Sequence, residues 1–153
     1  MELIKNLELV NRKATHLYYF DLMLEAGLVL RGTEIKAIRT GQVNMSDAFC
    51  SIDNKGMYVE NLHIGEYKNG TYNNHAPKRT RRLLLNKREL KKFDTRVREQ
   101  GYTIIPYRLY ISERGFAKLE IALAKGKKSF DKREAIKERD TKREMDRVIK
   151  AYK

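Results

Sequence analysis

"YTIIPYRLYISERGFAKLEIALA" (102–124) is the stretch that decides the fold. Two runs rich in β-branched and aromatic residues flank Ser112-Glu113-Arg114-Gly115, which has turn chemistry, so the segment reads as a hairpin. In its second arm Leu119, Ile121 and Leu123 alternate with Lys118 and Glu120, the period-two pattern of a strand with one wet face. Pro106 has no N–H to give to a ladder, so it belongs at an edge or a bulge.

The neighbouring stretches repeat this character. "DAFCSIDNKGMYVENLHI" (47–64) reads as another hairpin, turning through Asp53-Asn54-Lys55-Gly56. "HLYYFDLMLEAGLVLRG" (16–32) puts Tyr18, Phe20, Leu22 and Leu24 on one face and reads as a strand, a bend near the glycine and a second strand. "GTEIKAIRTG" (32–41) reads as a short helix with Thr33 as N-cap and Gly41 as stop, and 65–77 reads as a loop. A longer helix follows Asn86, with Glu89 completing a capping box, Leu85 and Leu90 a staple, and Gly101 the stop. Several short strands and two helices predict a mainly β domain with flanking helices, and a small closed antiparallel barrel would leave no bare edges.

The chain has 153 residues and a formal net charge of +13. Residues 78–92 carry net +7 and residues 125–153 net +6, so two stretches account for the whole excess. Charge concentrated in this way suits a polyanionic partner, nucleic acid above all, with a solvated surface as the alternative. In "PKRTRRLLLN" (77–86), Arg79, Arg81 and Arg82 adjoin three leucines that would fix the backbone on the core. "VNRKATH" (10–16) and "AKGKK" (124–128) add basic edges, and folding that gathered all three would make one face for structured RNA.

Other chemistry finds little support. His16, His63 and His75 lack metal-ligand spacing, and the sequence calls for no cofactor. Nothing pairs Glu34 or Asp47 with a second carboxylate as a nuclease centre requires, so no catalytic residue is assigned. Cys50 reads as a small buried strand residue. With no signal-peptide core and no long apolar run, a cytoplasmic chain without a membrane partner is expected.

"AKGKKSFDKREAIKERDTKREMDRVIKAYK" (124–153) is charged throughout. Met145, Val148, Ile149 and Tyr152 follow helical spacing, but 137–144 has no apolar residue. The expectation is a domain over 1–126 and a tail over 127–153 that is disordered when free and helical when bound.

"GTEIKAIR" (32–39), "RTRRLLLNKREL" (79–90), "GYTIIPYRLY" (101–110) and "LAKGKKSFDKRE" (123–134), in this order, resemble the small protein B (SsrA-binding protein) family of bacteria. The resemblance implies an OB-like antiparallel β-barrel that binds the tRNA-like domain of transfer-messenger RNA. It further implies trans-translation on stalled ribosomes, the tail entering the small-subunit decoding site and the empty mRNA channel. Alanyl-tRNA synthetase and elongation factor Tu are implied as indirect partners through the RNA, and a monomer without enzymatic activity is expected.

By the same resemblance Asn11, Arg12, Lys13, Glu34, Lys36, Arg79, Arg81, Arg82, Lys125, Lys127 and Lys128 contact RNA or shape that surface. Phe130, Asp131, Lys132, Arg133, Lys137, Arg139, Lys142, Arg143 and Ile149 fall in the ribosome-entering tail. Ala37, Arg82 and Phe130 depart from the residues usual in the family (serine, lysine, and histidine or tyrosine). Phe130 keeps a ring that can stack but loses a hydrogen bond. Glu34 is open between accepting from a base and pairing with a nearby cation. From the residues alone a structural ribosomal-protein-like RNA binder with a basic arm is the alternative, and an RNA-processing enzyme a third reading.

Overall fold

The computed structural model describes residues 7–68, 70, 74–127 and 143. Along the chain β1 (Glu8–Val10) leads to α1 (Arg12–Leu17), the long strand β2 (Tyr18–Leu28), α2 (Gly32–Arg39) and β3 (Val43–Asn44). Next come β4 (Phe49–Asp53), β5 (Gly56–Glu60), β6 (His63–Ile64), β7 (Arg81–Leu84), α3 (Lys87–Gln100), β8 (Thr103–Ile111) and β9 (Ala117–Gly126).

The hairpin of β8 and β9 is paired from Thr103 opposite Ala124 to Ile111 opposite Ala117. Leu119, Ile121 and Leu123 are fully buried, as alternation requires. Pro106 stands where the register shifts before Arg108, at a bulge. The other edge of β9 pairs with β2 from Gly126 opposite Tyr18 to Lys118 opposite Gly27. That long ladder corrects the bend expected at Gly27: β2 is one strand, and its irregularity is a bulge between Phe20 and Leu22.

The antiparallel pairings run β4, β5, β7, β2, β9, β8 and back to β4, an OB-like barrel. Its seam is thin. β8 meets β4 only at Ile104 opposite Cys50, because the Arg108–Tyr110 end of the same edge is taken by β1. The barrel is therefore partly open rather than sealed. β3 and β6 form a separate two-stranded sheet. Among the described residues no helix is long and apolar enough to cross a membrane.

The helices cover what the strands leave. Six-residue α1 was not foreseen; Asn11 caps it by accepting from the Ala14 N–H at 3.3 Å. Ala14 packs with Ile105 and Ala124, on the side of the sheet away from the main core. α2 starts at Gly32, two residues earlier than a Thr33 cap implies, and Arg31 holds the cap position. The Thr33 hydroxyl instead lies 2.9 Å from Nδ1 of buried His75, whose Nε2 donates to the Ile64 carbonyl. α3 has its capping box, with Asn86 and Glu89 each accepting from the other's N–H at 2.9 and 3.1 Å. Phe93 plugs the core beside Leu85, Leu90 and Val97.

Gly101 ends α3 at φ 68°, and a Cβ added there meets no atom within 4 Å. Gly101→Ala is therefore expected to cost only the left-handed backbone penalty, about 1–2 kcal/mol. A lower denaturation midpoint at an unchanged m-value checks it. Cys50 is buried, and burial with the nearby Glu60 charge pushes its thiol far up, so it stays protonated and inert.

Candidate nucleic-acid interface

Alternation along β7 sends Arg81 and Leu83 inward and Arg82 and Leu84 outward. The inward guanidinium is fully buried and satisfied. Arg81 Nε donates to Glu34 Oε2, Nη1 to the Leu62 carbonyl at 2.6 Å, and Nη2 to the Pro77 carbonyl at 3.1 Å. Glu34 Oε1 accepts from Arg79 Nη2 at 2.5 Å and from the Arg31 N–H at 2.7 Å. One carboxylate thus ties the start of α2 to β7 and the segment before it. Burial alone would push the Glu34 carboxyl up. The hydrogen bonds from Arg79, the Arg31 N–H and Arg81, with the charge of Arg81, hold it below the ordinary carboxylate range.

This geometry bears on the positions singled out from the sequence. Glu34 and Arg81 expose no side-chain surface, and Glu34 pairs with nearby cations, Arg79 and Arg81, which is one of the two roles left open for it. Asn11 is buried too; its amide donates to the Met45 and Pro106 carbonyls at 3.2 and 2.9 Å. The leucines do not act together either. Leu83 is core, whereas Leu84 is 57% exposed and stands outside with Arg82 and Val29.

Other basic residues come together at one end of the barrel. Lys127 donates its N–H to the Leu17 carbonyl at 2.8 Å and its ammonium to the Thr15 carbonyl at 3.1 Å, seating the end of β9 on α1. Its ammonium also lies 5.0 Å from the Tyr19 ring, and Lys125 and Arg96 stand 4.7 and 5.2 Å from the Tyr102 ring. Arg96 is paired with Asp21. On the far side of α1, Lys13 bonds Asp47 at 3.3 Å, and Asp47 shares a cavity of about 210 Å³ with Lys78 and His63. Arg12 is exposed beside Lys13.

Two of the three basic edges, at 10–16 and 124–127, are therefore in direct contact, and Lys78 beside the third lines a cavity with Asp47, the partner of Lys13. Arg82 and Lys36 lie apart. Arg82 donates to the Lys55 carbonyl, and Lys36 stands 5.5 Å from the Tyr67 ring. Sequence reasoning missed Tyr19, Arg96 and Tyr102. An exposed Tyr19 was implicit in the outward phase of its strand, whereas Arg96 reaches Tyr102 and Asp21 only through the tertiary fold. Lys128 and the tail residues Phe130, Asp131, Lys132, Arg133, Lys137, Arg139, Lys142 and Ile149 lie outside the described residues; Arg143 is helical and exposed. Among the described residues no three His, Cys, Asp or Glu gather as a metal site.

Known proteins share this sequence over nearly its whole length. The profile of the SmpB protein family matches residues 8–151. The SsrA-binding protein of Cytophaga hutchinsonii is 50% identical over 147 residues, 96% of each chain. That of Christiangramia forsetii is 50% identical over 148 residues, 97% of this chain and 94% of its own. That of Geobacillus kaustophilus is 49% identical over 140 residues, 92% and 90%. A chain of the solved structure described as "tmRNA-SmpB: a journey to the center of the bacterial ribosome" matches with a TM-score of 0.69 at 41% identity, over 84% of this chain and 94% of that one. A profile spanning the barrel and relatives half identical from end to end lead to one conclusion: this chain belongs to the SmpB family.

Proposed function

We propose that this protein is a non-enzymatic RNA-binding factor of the cytoplasm. It binds the tRNA-like domain of transfer-messenger RNA and delivers it to stalled ribosomes for trans-translation. The observation that carries the reading is the basic, aromatic-lined end of the barrel, where Lys125 and Lys127 stand over Tyr102 and Tyr19 beside α1, in a chain whose relatives are named SsrA-binding proteins. Ammonium groups seated on aromatic rings keep a positive surface and a stacking surface side by side, as folded RNA requires. Residues 1–126 form the RNA-binding body, and 127–153 the tail that probes the decoding site and empty mRNA channel. Alanyl-tRNA synthetase and elongation factor Tu are reached through the RNA, and the protein acts as a monomer.

Crosslinking in cells with sequencing of the bound RNA tests the partner. A dominant transfer-messenger RNA signal is expected, whereas a broad ribosomal RNA pattern at every growth stage would point to a structural ribosomal protein. Truncation after Lys128 tests the division of labour. RNA binding is expected to survive and tagging of stalled products to vanish, and loss of RNA binding by a folded truncation would overturn the assignment of the tail.

A further inference from the structure

Between α1 and the turn that links β3 to β4 lies a half-open cavity of about 340 Å³. Ala14 and Ile105 are its apolar floor, Tyr18 and Phe49 its aromatic walls, and Lys13 and Asp47 its charged rim. Phe49 is 38% exposed, on the face of β4 opposite buried Cys50. The turn is held by the Asn11 amide, which binds the Met45 carbonyl on one side and the Pro106 carbonyl on the other, so the walls are fixed in advance. A second cavity of about 260 Å³, lined by Arg12, Lys13, Asn44 and Ser46, adjoins it along the same turn.

We infer that this cavity receives one unstacked nucleobase of RNA, with its phosphates held at the rim. The inference rests on the RNA-binding reading above and adds a site to it. The volume is at the lower end of the ~300–1,000 Å³ of small-ligand pockets, enough for a single nucleoside. An apolar floor with rings at the side suits a base face, because stacking is tolerant of base identity. Lys13 neutralises a phosphate at the mouth, and Arg12 follows the backbone into the adjoining cavity. Asp47 is the discriminating group: a carboxylate accepts from an exocyclic amino group, so guanine, adenine or cytosine is favoured over uracil. Its pairing with Lys13 offsets the repulsion it would otherwise exert on phosphate.

Two RNAs of the proposed function offer unpaired bases, transfer-messenger RNA and ribosomal RNA, and the experiment separates them. Full-length Phe49→Leu and the unaltered protein are titrated with the isolated tRNA-like domain and with small ribosomal subunits. The affinity of Phe49→Leu is expected to fall about 5- to 150-fold for one of the two RNAs, the loss of one stacked base. Its dependence on salt should not change, because no phosphate contact is removed. Ultraviolet crosslinking of the unaltered protein, read by mass spectrometry, should join Phe49 or Tyr18 to one nucleotide; this readout stands even if the variant folds poorly. Phe49→Leu affinities within twofold of the unaltered protein for both RNAs, with no such crosslink, overturn the site while leaving RNA binding intact. If the unaltered protein binds neither RNA, the broader reading falls instead.

Discussion

Arg81→Met is expected to lower the unfolding free energy by about 3–5 kcal/mol, the cost of removing one partner from a buried ion pair. The arithmetic is severe for a domain whose whole stability is of the order of 5–15 kcal/mol. Methionine fills the space but strands the Leu62 and Pro77 carbonyls without donors and leaves Glu34 with Arg79 as its one guanidinium. Glu34→Gln is expected to be comparably harmful, since a neutral amide leaves the buried Arg81 charge uncompensated. Urea unfolding of the two single variants and of the double variant measures the coupling, and a double variant less damaged than the sum identifies the pair as the unit.

The same carboxylate sets an acid limit. Its pKa in the folded protein lies below its unfolded value of about 4.3, so the unfolded chain takes up the proton first. Its contribution is therefore complete above that unfolded value and is lost as pH falls through the folded one. The unaltered protein should keep this stability at pH 5 and lose it progressively below pH 4. In Glu34→Gln that part of the pH dependence should be missing, and a variant with an unchanged acid slope would show that Glu34 is not the titrating group.

RNA affinity is expected to collapse with salt. A surface that neutralises six or more phosphates loses about 10³–10⁵ in affinity between 50 and 200 mM salt, through release of counterions. Lys125→Gln and Lys127→Gln, which alter exposed cations at the barrel end, should each reduce the slope of log K against log salt by about one unit. Arg81→Met should behave differently. Its buried charge meets no phosphate, so whatever folded fraction remains should keep the full slope. A slope near zero for the unaltered protein would remove the electrostatic basis of the proposed function.

What could be read from the chain was whatever depends on neighbours in sequence. The capping box at Asn86, the stop at Gly101, the alternation of Leu119, Ile121 and Leu123 and the bulge at Pro106 are local, and the structure has each of them. What escaped depends on partners far along the chain. Lys13 and Asp47 are 34 residues apart, and Glu34 and Arg81 are 47 apart. "RTRRLLL" reads as cations followed by an apolar anchor, because an arginine in the inward phase of a strand looks polar until its counter-ion is known. The short helix at Arg12–Leu17 was hidden for another reason: six residues are too few to show a period, and only Asn11 and Ala14 betray it.

The run Arg81-Arg82-Leu83-Leu84 is nearly its own image when slid by one place. In the slid strand Arg82 and Leu84 would lie inward in place of Arg81 and Leu83, and Arg81 and Leu83 would face out instead. Hydrophobic pattern alone therefore leaves β7 with two almost equal ways to lie between β5 and β2. Glu34 breaks the tie. In the shifted alignment Thr80 would stand where Arg79 now binds the carboxylate, and half of its guanidinium shell would be gone. The buried carboxylate thus acts as an indexing pin for a strand whose letters cannot index themselves, and it fixes which arginine faces the solvent.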